Sequence, residues 1–176
     1  LDLLFATAVS QSLGENVAPF SFLGPYVMAP IALSHGASDE QKKKYLTGIA
    51  ENKIKFGIGF SEYIAARDGS GFSFKNNKVN GRSMFVLDMD NATHLWLADE
   101  SGCIGIVKLT DKNIEIVKLT TVDKTRSYSE VILNDVSIEV LDKSVKNNFA
   151  INKTIDAGRI ILAADSLGAS STLISK

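Results

Sequence analysis

The chain has 176 residues, of which 45% are hydrophobic and 22% are charged, and its formal net charge is -1. This is the composition of an ordinary globular protein, and the near-zero charge argues against nucleic acid or an anionic membrane surface as a partner. One cysteine and two histidines are too few to favour a metal site of nitrogen and sulfur ligands, so no metal is expected.

Targeting and membrane features are not expected either. The chain contains no apolar run of about 18 residues, which predicts no membrane span. Its apolar start, LDLLFATAV, lacks the basic lead and the small-residue cleavage pattern of a signal peptide. Because the chain starts without Met and stops within a helical pattern, we expect it to be a segment of a longer protein.

Residues 1–53 are predicted to be helical. The stretch LLFATAVSQSLGE has apolar residues at helical spacing, and Pro25 and Pro30 interrupt the next apolar segment. Ser38 and Gln41 have the spacing of a capping box, in which each side chain bonds the backbone N–H of the other. A Lys-rich helix is therefore expected to begin after Ser38.

Residues 54–146 are predicted to form a β domain. Six short runs alternate with period two, namely IKFGIGFS, SMFVLDM, HLWLAD, CIGIVKL, IEIVKLT and YSEVILN. Turn residues at Asn80-Gly81, 99–102 and 111–113 separate them. Asn-Gly suits a tight hairpin turn. Since no helical crossover separates these strands, they predict an antiparallel barrel or sandwich, with Trp96 and Cys103 in its core.

From residue 147 the helical period returns in NKTIDAGRIILAADSLGASSTLISK. The predicted fold class is therefore α+β, with a helical segment, an antiparallel β-barrel and the start of a helical bundle. The predicted domains are 1–53, 54–146 and 147–176.

Four stretches in this order resemble the acyl-CoA dehydrogenase family. GASDEQKKKYLTGIAENKIKFGIGFSE resembles its helix and the strand that ends in Thr-Glu-Pro, and VNGRSMFVLD resembles its ING-x-K-x-W/F-I-T-N strand. RSYSEVILNDVSI and DAGRIILAADSLGAS resemble the later strand and the helix that opens the C-terminal bundle. The family's domain order is helical, β, helical, which is also the order predicted from the patterns above.

The resemblance implies FAD as cofactor, held where two strands end. The positions that match flavin-contacting residues of the family are Ile58, Phe60, Ser61, Phe85, Val86 and Leu87. Ser61 retains a hydroxyl, whereas Leu87 stands where the family usually has Thr or Ser and cannot donate a hydrogen bond. The adenine end of FAD is partly held by a neighbouring subunit in this family, so the chain alone is expected to bind FAD weakly.

The loop after the first strand departs from the family. Its TEPGAGSD corresponds here to SEYIAARD, and loss of the glycines implies a different backbone path. Arg67 is predicted to contact a CoA phosphate or a polar acyl group, or else to pair with Asp68 or Glu62. Two further positions, Asp156 and Arg159, match substrate-contacting residues of the family, and their spacing also fits a simple intrahelical ion pair.

The implied reaction is α,β-dehydrogenation of an acyl-CoA, with electrons passed to an electron-transferring flavoprotein. It needs a carboxylate base, which the family usually carries late in the C-terminal bundle and sometimes just before the helix-opening Arg. The latter position is Gly158 here, so no catalytic base is expected within this chain. A homo- or hetero-oligomer is implied, in the bacterial cytoplasm or, in a eukaryote, the mitochondrial matrix.

Three alternatives remain open at this level. One is a non-catalytic partner subunit of a heteromeric acyl-CoA dehydrogenase, which the eroded loop and Leu87 favour. Another is a related flavin monooxygenase or acyl-CoA oxidase. The third is a β-barrel binding module flanked by helices.

Overall fold

The structure is a computed structural model that describes residues 2–60, 63–64, 71–145 and 148–175. Its helical elements are α1 Leu3–Glu15, a π-helical segment Leu23–Met28, α2 Ala29–Gly36, α3 Asp39–Ala50 and α4 Phe149–Ile174. Its strands are β1 Phe56–Gly59, β2 Gly71–Lys75, β3 Lys78–Leu87, β4 His94–Ala98, β5 Ile104–Lys108, β6 Ile114–Lys118, β7 Tyr128–Ser137 and β8 Glu139–Val140. The α+β prediction is confirmed.

Local capping explains where the first helices begin. The Asp2 carboxylate accepts from the N–H of Leu4 at the start of α1, and the predicted capping box of α3 is present. Pro25 and Pro30 lie inside the π-helical segment and the first turn of α2, which follow one another directly. Proline lacks an N–H donor, so it changes the helical hydrogen bonding here without separating the two segments.

The sheet is mixed, so the prediction of an antiparallel barrel was wrong in detail. Strand order is β6-β7-β3-β1-β4-β5-β8, with β2 paired to β3, and β1 runs parallel to β4. The β2–β3 hairpin lies between β1 and β4 in the chain and serves as the crossover that a parallel pair requires. Among the described residues the strand path ends at β6 and β8 and does not close.

The predicted turn at Asn80-Gly81 was also wrong. The hairpin turns at Asn76 and Asn77, with φ of 52° and 56°, as a two-residue turn of this kind requires. Gly81 lies within β3 at a register shift, has φ of 139°, and a Cβ there would lie 2.0 Å from the Gly71 oxygen. Asn-Gly therefore marks a β-bulge that only glycine can occupy.

Two apolar cores lie on the two faces of the sheet. One joins the sheet to the helices and contains Phe56, Ile58 and the fully buried Trp96. The other, which includes Val86 and Leu95, is built from residues of the strands and their connections. The expectation that Trp96 and Cys103 are buried is confirmed.

Helices from the two ends of the chain pack together. The Ser10 hydroxyl donates to the Ile161 oxygen at 2.9 Å, and the Thr172 hydroxyl donates to the Glu15 oxygen at 3.0 Å. These contacts show that α1 and α4 run parallel.

The division into three domains stays a prediction. None of the helices in the described ranges has the length and hydropathy of a membrane span.

Candidate functional site

The candidate site lies where β1 and β3 meet. Ile58 pairs with Leu87 in antiparallel register, so the segment that follows β1 runs beside the segment that precedes Leu87. Counted on from this pair, position 60 falls opposite position 85: Phe60 directly follows β1, and Phe85 lies two residues before the end of β3. We call this region, comprising residues 58–60 and 85–87, the strand-end shelf.

Phe85 is the exposed part of the shelf. A register shift between Ser83 and Val86 interrupts β3, and Phe85 has φ of 58°. Bulges re-aim side chains, and Phe85 is 46% exposed while its ring packs edge-on against Tyr128 with centroids 6.4 Å apart. Part of the Phe85 ring is therefore open to solvent.

The other shelf residues are covered to different extents. Phe60 is half-buried and packs edge-on against Trp96, with ring centroids 6.0 Å apart. The side chains of Ile58 and Val86 are buried in opposite cores, and Leu87 is partly buried. Neither side chain is therefore open to a ligand, and the backbone at Ile58 is paired with β3 on one side and with β4 on the other.

Two predicted site residues, Ser61 and Arg67, lie outside the described residues. In the same loop Tyr63 is described: its N–H donates to the Phe60 oxygen at 3.0 Å, and its hydroxyl donates to Oδ1 of Asn152 at 3.3 Å. The start of the loop is thereby linked to α4, the helix that carries Asp156 and Arg159.

Asp156 and Arg159 lie on an exposed face of α4. Nη1 of Arg159 lies 3.4 Å from Oδ1 of Asp156, and their side chains are 61% and 71% exposed. The intrahelical ion pair named above as an alternative is therefore present. Such an exposed pair contributes little stability, so both side chains stay available to a ligand.

Gly158 supplies no base, and its surroundings are apolar. A Cβ at this position would lie 3.2 Å from Sδ of Met28, a buried residue of the π-helical segment. This side of α4 faces the helical core. The described residues also hold no cluster of His, Cys, Asp and Glu that suits a metal ion.

Sequence reasoning missed Asp88, which directly follows the shelf. It is 6% exposed and has φ of 58°, and its Oδ2 accepts from the N–H of Gly24 at 2.8 Å. Burial raises the pKa of this carboxyl, against the opposing effect of the Gly24 and Ser21 hydrogen bonds and of Arg126. The sequence did contain one clue to this position. An Asp directly follows the predicted strand, and Asp and Asn tolerate positive φ better than other residues.

Three cavities bear on the site, and one of them, of about 310 Å³, is lined by Asp88 together with Pro25, Phe56 and Asn91. A small one of about 30 Å³ lies beside Leu87 and Asp88, between α1, α4 and the β6–β7 connection; ligand pockets are usually roughly 300–1,000 Å³. A groove of about 940 Å³ is lined by parts of β2, β3 and β7 and the turn at 99–101. None of the predicted site residues lines that groove; the candidate site at the shelf rests on the family resemblance and on the pairing of β1 with β3.

Comparison with known proteins agrees with this architecture. No protein-family model matches the chain. Acyl-CoA dehydrogenase FadE29 of Mycobacterium tuberculosis is 29% identical over 119 residues, which are 61% of this chain and 28% of that protein. Acyl-CoA dehydrogenase FadE26 of the same organism is 34% identical over 92 residues, which are 46% of this chain and 22% of that protein.

Solved structures show the same fold. Butyryl-CoA dehydrogenase from Megasphaera elsdenii matches with a TM-score of 0.77 and 16% identity, over 98% of this chain and 50% of that one. The FAD complex of PigA matches with a TM-score of 0.80 and 15% identity, over 99% and 52%.

These findings define the class first: an α+β protein with the fold of the acyl-CoA dehydrogenases. Its sequence is also similar to two curated proteins of that name, so the resemblance to the acyl-CoA dehydrogenase family is confirmed. The family is one of oxidoreductases. The chain spans about half the length of the structures it matches and about a quarter of the curated relatives.

Proposed function

We propose that this chain forms the flavin-facing part of an FAD-dependent acyl-CoA dehydrogenase that acts on fatty acyl or related thioesters. The observation that carries the proposal is the pairing of Ile58 with Leu87, which sets the segment that leads to Phe60 beside the part of β3 that carries Phe85. Similarity to acyl-CoA dehydrogenases supports the reaction class.

The shelf residues fit a flat aromatic ring. Phe85 offers an exposed ring face or edge, and aromatic rings stack favourably on one another. Beyond Ile58 and the end of β1 at Gly59, the backbone at Phe60 would hold the isoalloxazine edge, together with Ser61. Leu87 offers no hydrogen bond there, which distinguishes this chain from the family pattern.

When bound, FAD would supply the acceptor for hydride from the substrate's β carbon. This chain's own residues would bind and orient the two ligands. Asp156 and Arg159, together with Arg67, are proposed to contact the acyl-CoA. Electrons would pass to an electron-transferring flavoprotein. The assignment of an oligomer, of the three domains and of a cytoplasmic or mitochondrial location also remains part of this proposal.

The proposal is tested by titrating the chain into FAD and following flavin fluorescence and the visible spectrum. Phe85→Ala removes the exposed ring and should weaken FAD binding roughly 3- to 10-fold, the range that about 1 kcal/mol of aromatic contact implies. The matched control is Phe5→Ala, which removes a 62% exposed ring from α1 and should leave binding unchanged. Equal effects of the two variants would contradict the shelf assignment.

A further inference from the structure

The backbone at the end of β3 has an unusual conformation. Phe85 and Asp88 both have φ of 58°, and a register shift lies just before them. Positive φ in a residue other than glycine costs about 1 kcal/mol or more, and such geometry persists only where neighbouring groups enforce it. Two such residues within four positions therefore require a specific restraint.

Asp88 provides contacts that can act as this restraint. Its carboxylate accepts from the N–H of Gly24 at 2.8 Å, and its own N–H donates to the Ser127 oxygen at 3.1 Å. One residue thus ties the end of β3 to the π-helical segment on one side and to the β6–β7 connection on the other. We call these two hydrogen bonds the Asp88 clamp.

The packing around Gly24 shows that the clamp also reaches β1. A Cβ at Gly24 would lie 2.7 Å from Oδ2 of Asp88 and 2.9 Å from Cγ1 of Ile58. Glycine is therefore needed for the π-helical segment to approach both strands of the shelf. The clamp holds the two strand ends against a common support.

A second link extends from the clamp to α4. Arg126, next to Ser127, places Nη2 at 2.6 Å from Oδ2 of Asp165, and both side chains are largely buried. The β6–β7 connection that receives the Asp88 N–H is thus fixed to the helix that carries Asp156 and Arg159. The strand-end shelf and the α4 residues share one support.

Burying a carboxylate is costly unless it is paired or hydrogen-bonded, and Asp88 accepts from the Gly24 N–H at 2.8 Å. An apolar residue in the same place would fill the space, but it could not accept from the Gly24 N–H. We propose that Asp88 is a positioning residue, which holds Phe85–Leu87 in the geometry that receives the flavin ring. This inference rests on the proposed function for its ligand.

The test compares variants of the chain in two measurements: the FAD dissociation constant and amide hydrogen exchange of residues 84–88. Asp88→Ala removes the acceptor for Gly24 and should raise exchange at the strand end about 5-fold or more and weaken FAD binding by a similar factor. Asp88→Gly tolerates positive φ but also lacks the carboxylate, so it should show the same faster exchange and the same weaker FAD binding. Asp88→Asn retains an acceptor and should restore both values.

The matched control is Tyr45→Phe, which removes the partly buried hydrogen bond of 2.7 Å that Tyr45 Oη donates to Glu139 between α3 and β8. It should lower thermal stability without changing either measurement. The inference would be overturned if the control weakened FAD binding as much as Asp88→Ala does. It would also be overturned if the amides of residues 84–88 exchanged as slowly in the Asp88→Ala variant as in the wild type. Because the chain alone is expected to bind FAD weakly, the titration is carried to FAD concentrations high enough to detect weak association. No binding by the wild-type chain even there would instead overturn the proposed function, and the exchange data would still decide whether the clamp exists.

Discussion

At the residue scale, Asp88 is a carboxylate in an environment that disfavours its charge. Burial raises its pKa, and the Asp90 charge adds to this, while the hydrogen bonds from Gly24 and Ser21 and the Arg126 charge oppose it. Because the folded-state pKa lies above the ordinary value, the charged form destabilises the fold at neutral pH. This cost is removed as the pH falls through the folded-state pKa.

Asp88→Asn should therefore raise the free energy of unfolding at pH 7. Asn keeps an acceptor for Gly24, and it favours positive φ. The gain should shrink as the pH falls through the raised pKa towards the ordinary value for Asp, because the wild-type carboxyl is then neutral too. Urea unfolding at a series of pH values measures this difference.

Asp135→Asn is the control for the backbone effect, since Asp135 also has positive φ, 54°, and its side chain is 73% exposed. A gain of the Asp88 variant that stayed constant down to low pH would show that backbone preference, not the buried charge, is its cause.

At the element scale, glycines decide how closely α1 and α4 approach. A Cβ at Gly168 would lie 2.0 Å from the Gln11 oxygen, and a Cβ at Gly14 would lie 2.0 Å from the Asp165 oxygen. Each helix thus presents a glycine to the backbone of the other. Any larger residue would force the helices apart. Glycine therefore stands at these two positions although it has a low helix propensity.

Gly168→Ala should lower the free energy of unfolding by about 1–3 kcal/mol, because overpacking costs more than the helix propensity that alanine gains. Ser166→Ala, on the exposed side of the same helix, is the control and should be neutral or slightly stabilising. Thermal unfolding followed by circular dichroism measures both. A stabilised Gly168 variant would contradict the close approach of the two helices.

At the scale of the whole molecule, one apolar core joins the helices to the sheet. Trp96 is the single tryptophan, is fully buried, and belongs to β4 within that core. Residues of α1, α2 and α4 contribute to the same core. The sheet and the helices are therefore expected to unfold together.

Unfolding followed by Trp96 fluorescence, which reports on the sheet, should coincide with unfolding followed by circular dichroism at helical wavelengths. The two midpoints in urea should agree within the error of the fit. Separate midpoints would show that the helical and β parts unfold as independent domains, as the division at 53 and 146 would allow.

Local chemistry was enough to predict much of this fold. The extent of α1, the capping box at Ser38 and Gln41, and the six alternating strands are set by side chains within a few residues of each other. The candidate positions at Phe60 and Phe85 came from a family resemblance, and the pairing of β1 with β3 sets the segments that carry them side by side.

Distant contacts decided the rest. The strand β2, the parallel pairing of β1 with β4 and the bulge at Gly81 depend on which strands become neighbours. The role of Asp88 depends on Gly24, which is 64 residues away, and on Ser127 in another connection. The sequence by itself thus determined the helices and six of the strands, because their causes are local. Only the tertiary structure decided which strand ends meet and which carboxylate is buried between them, because those energies arise between residues far apart in the chain.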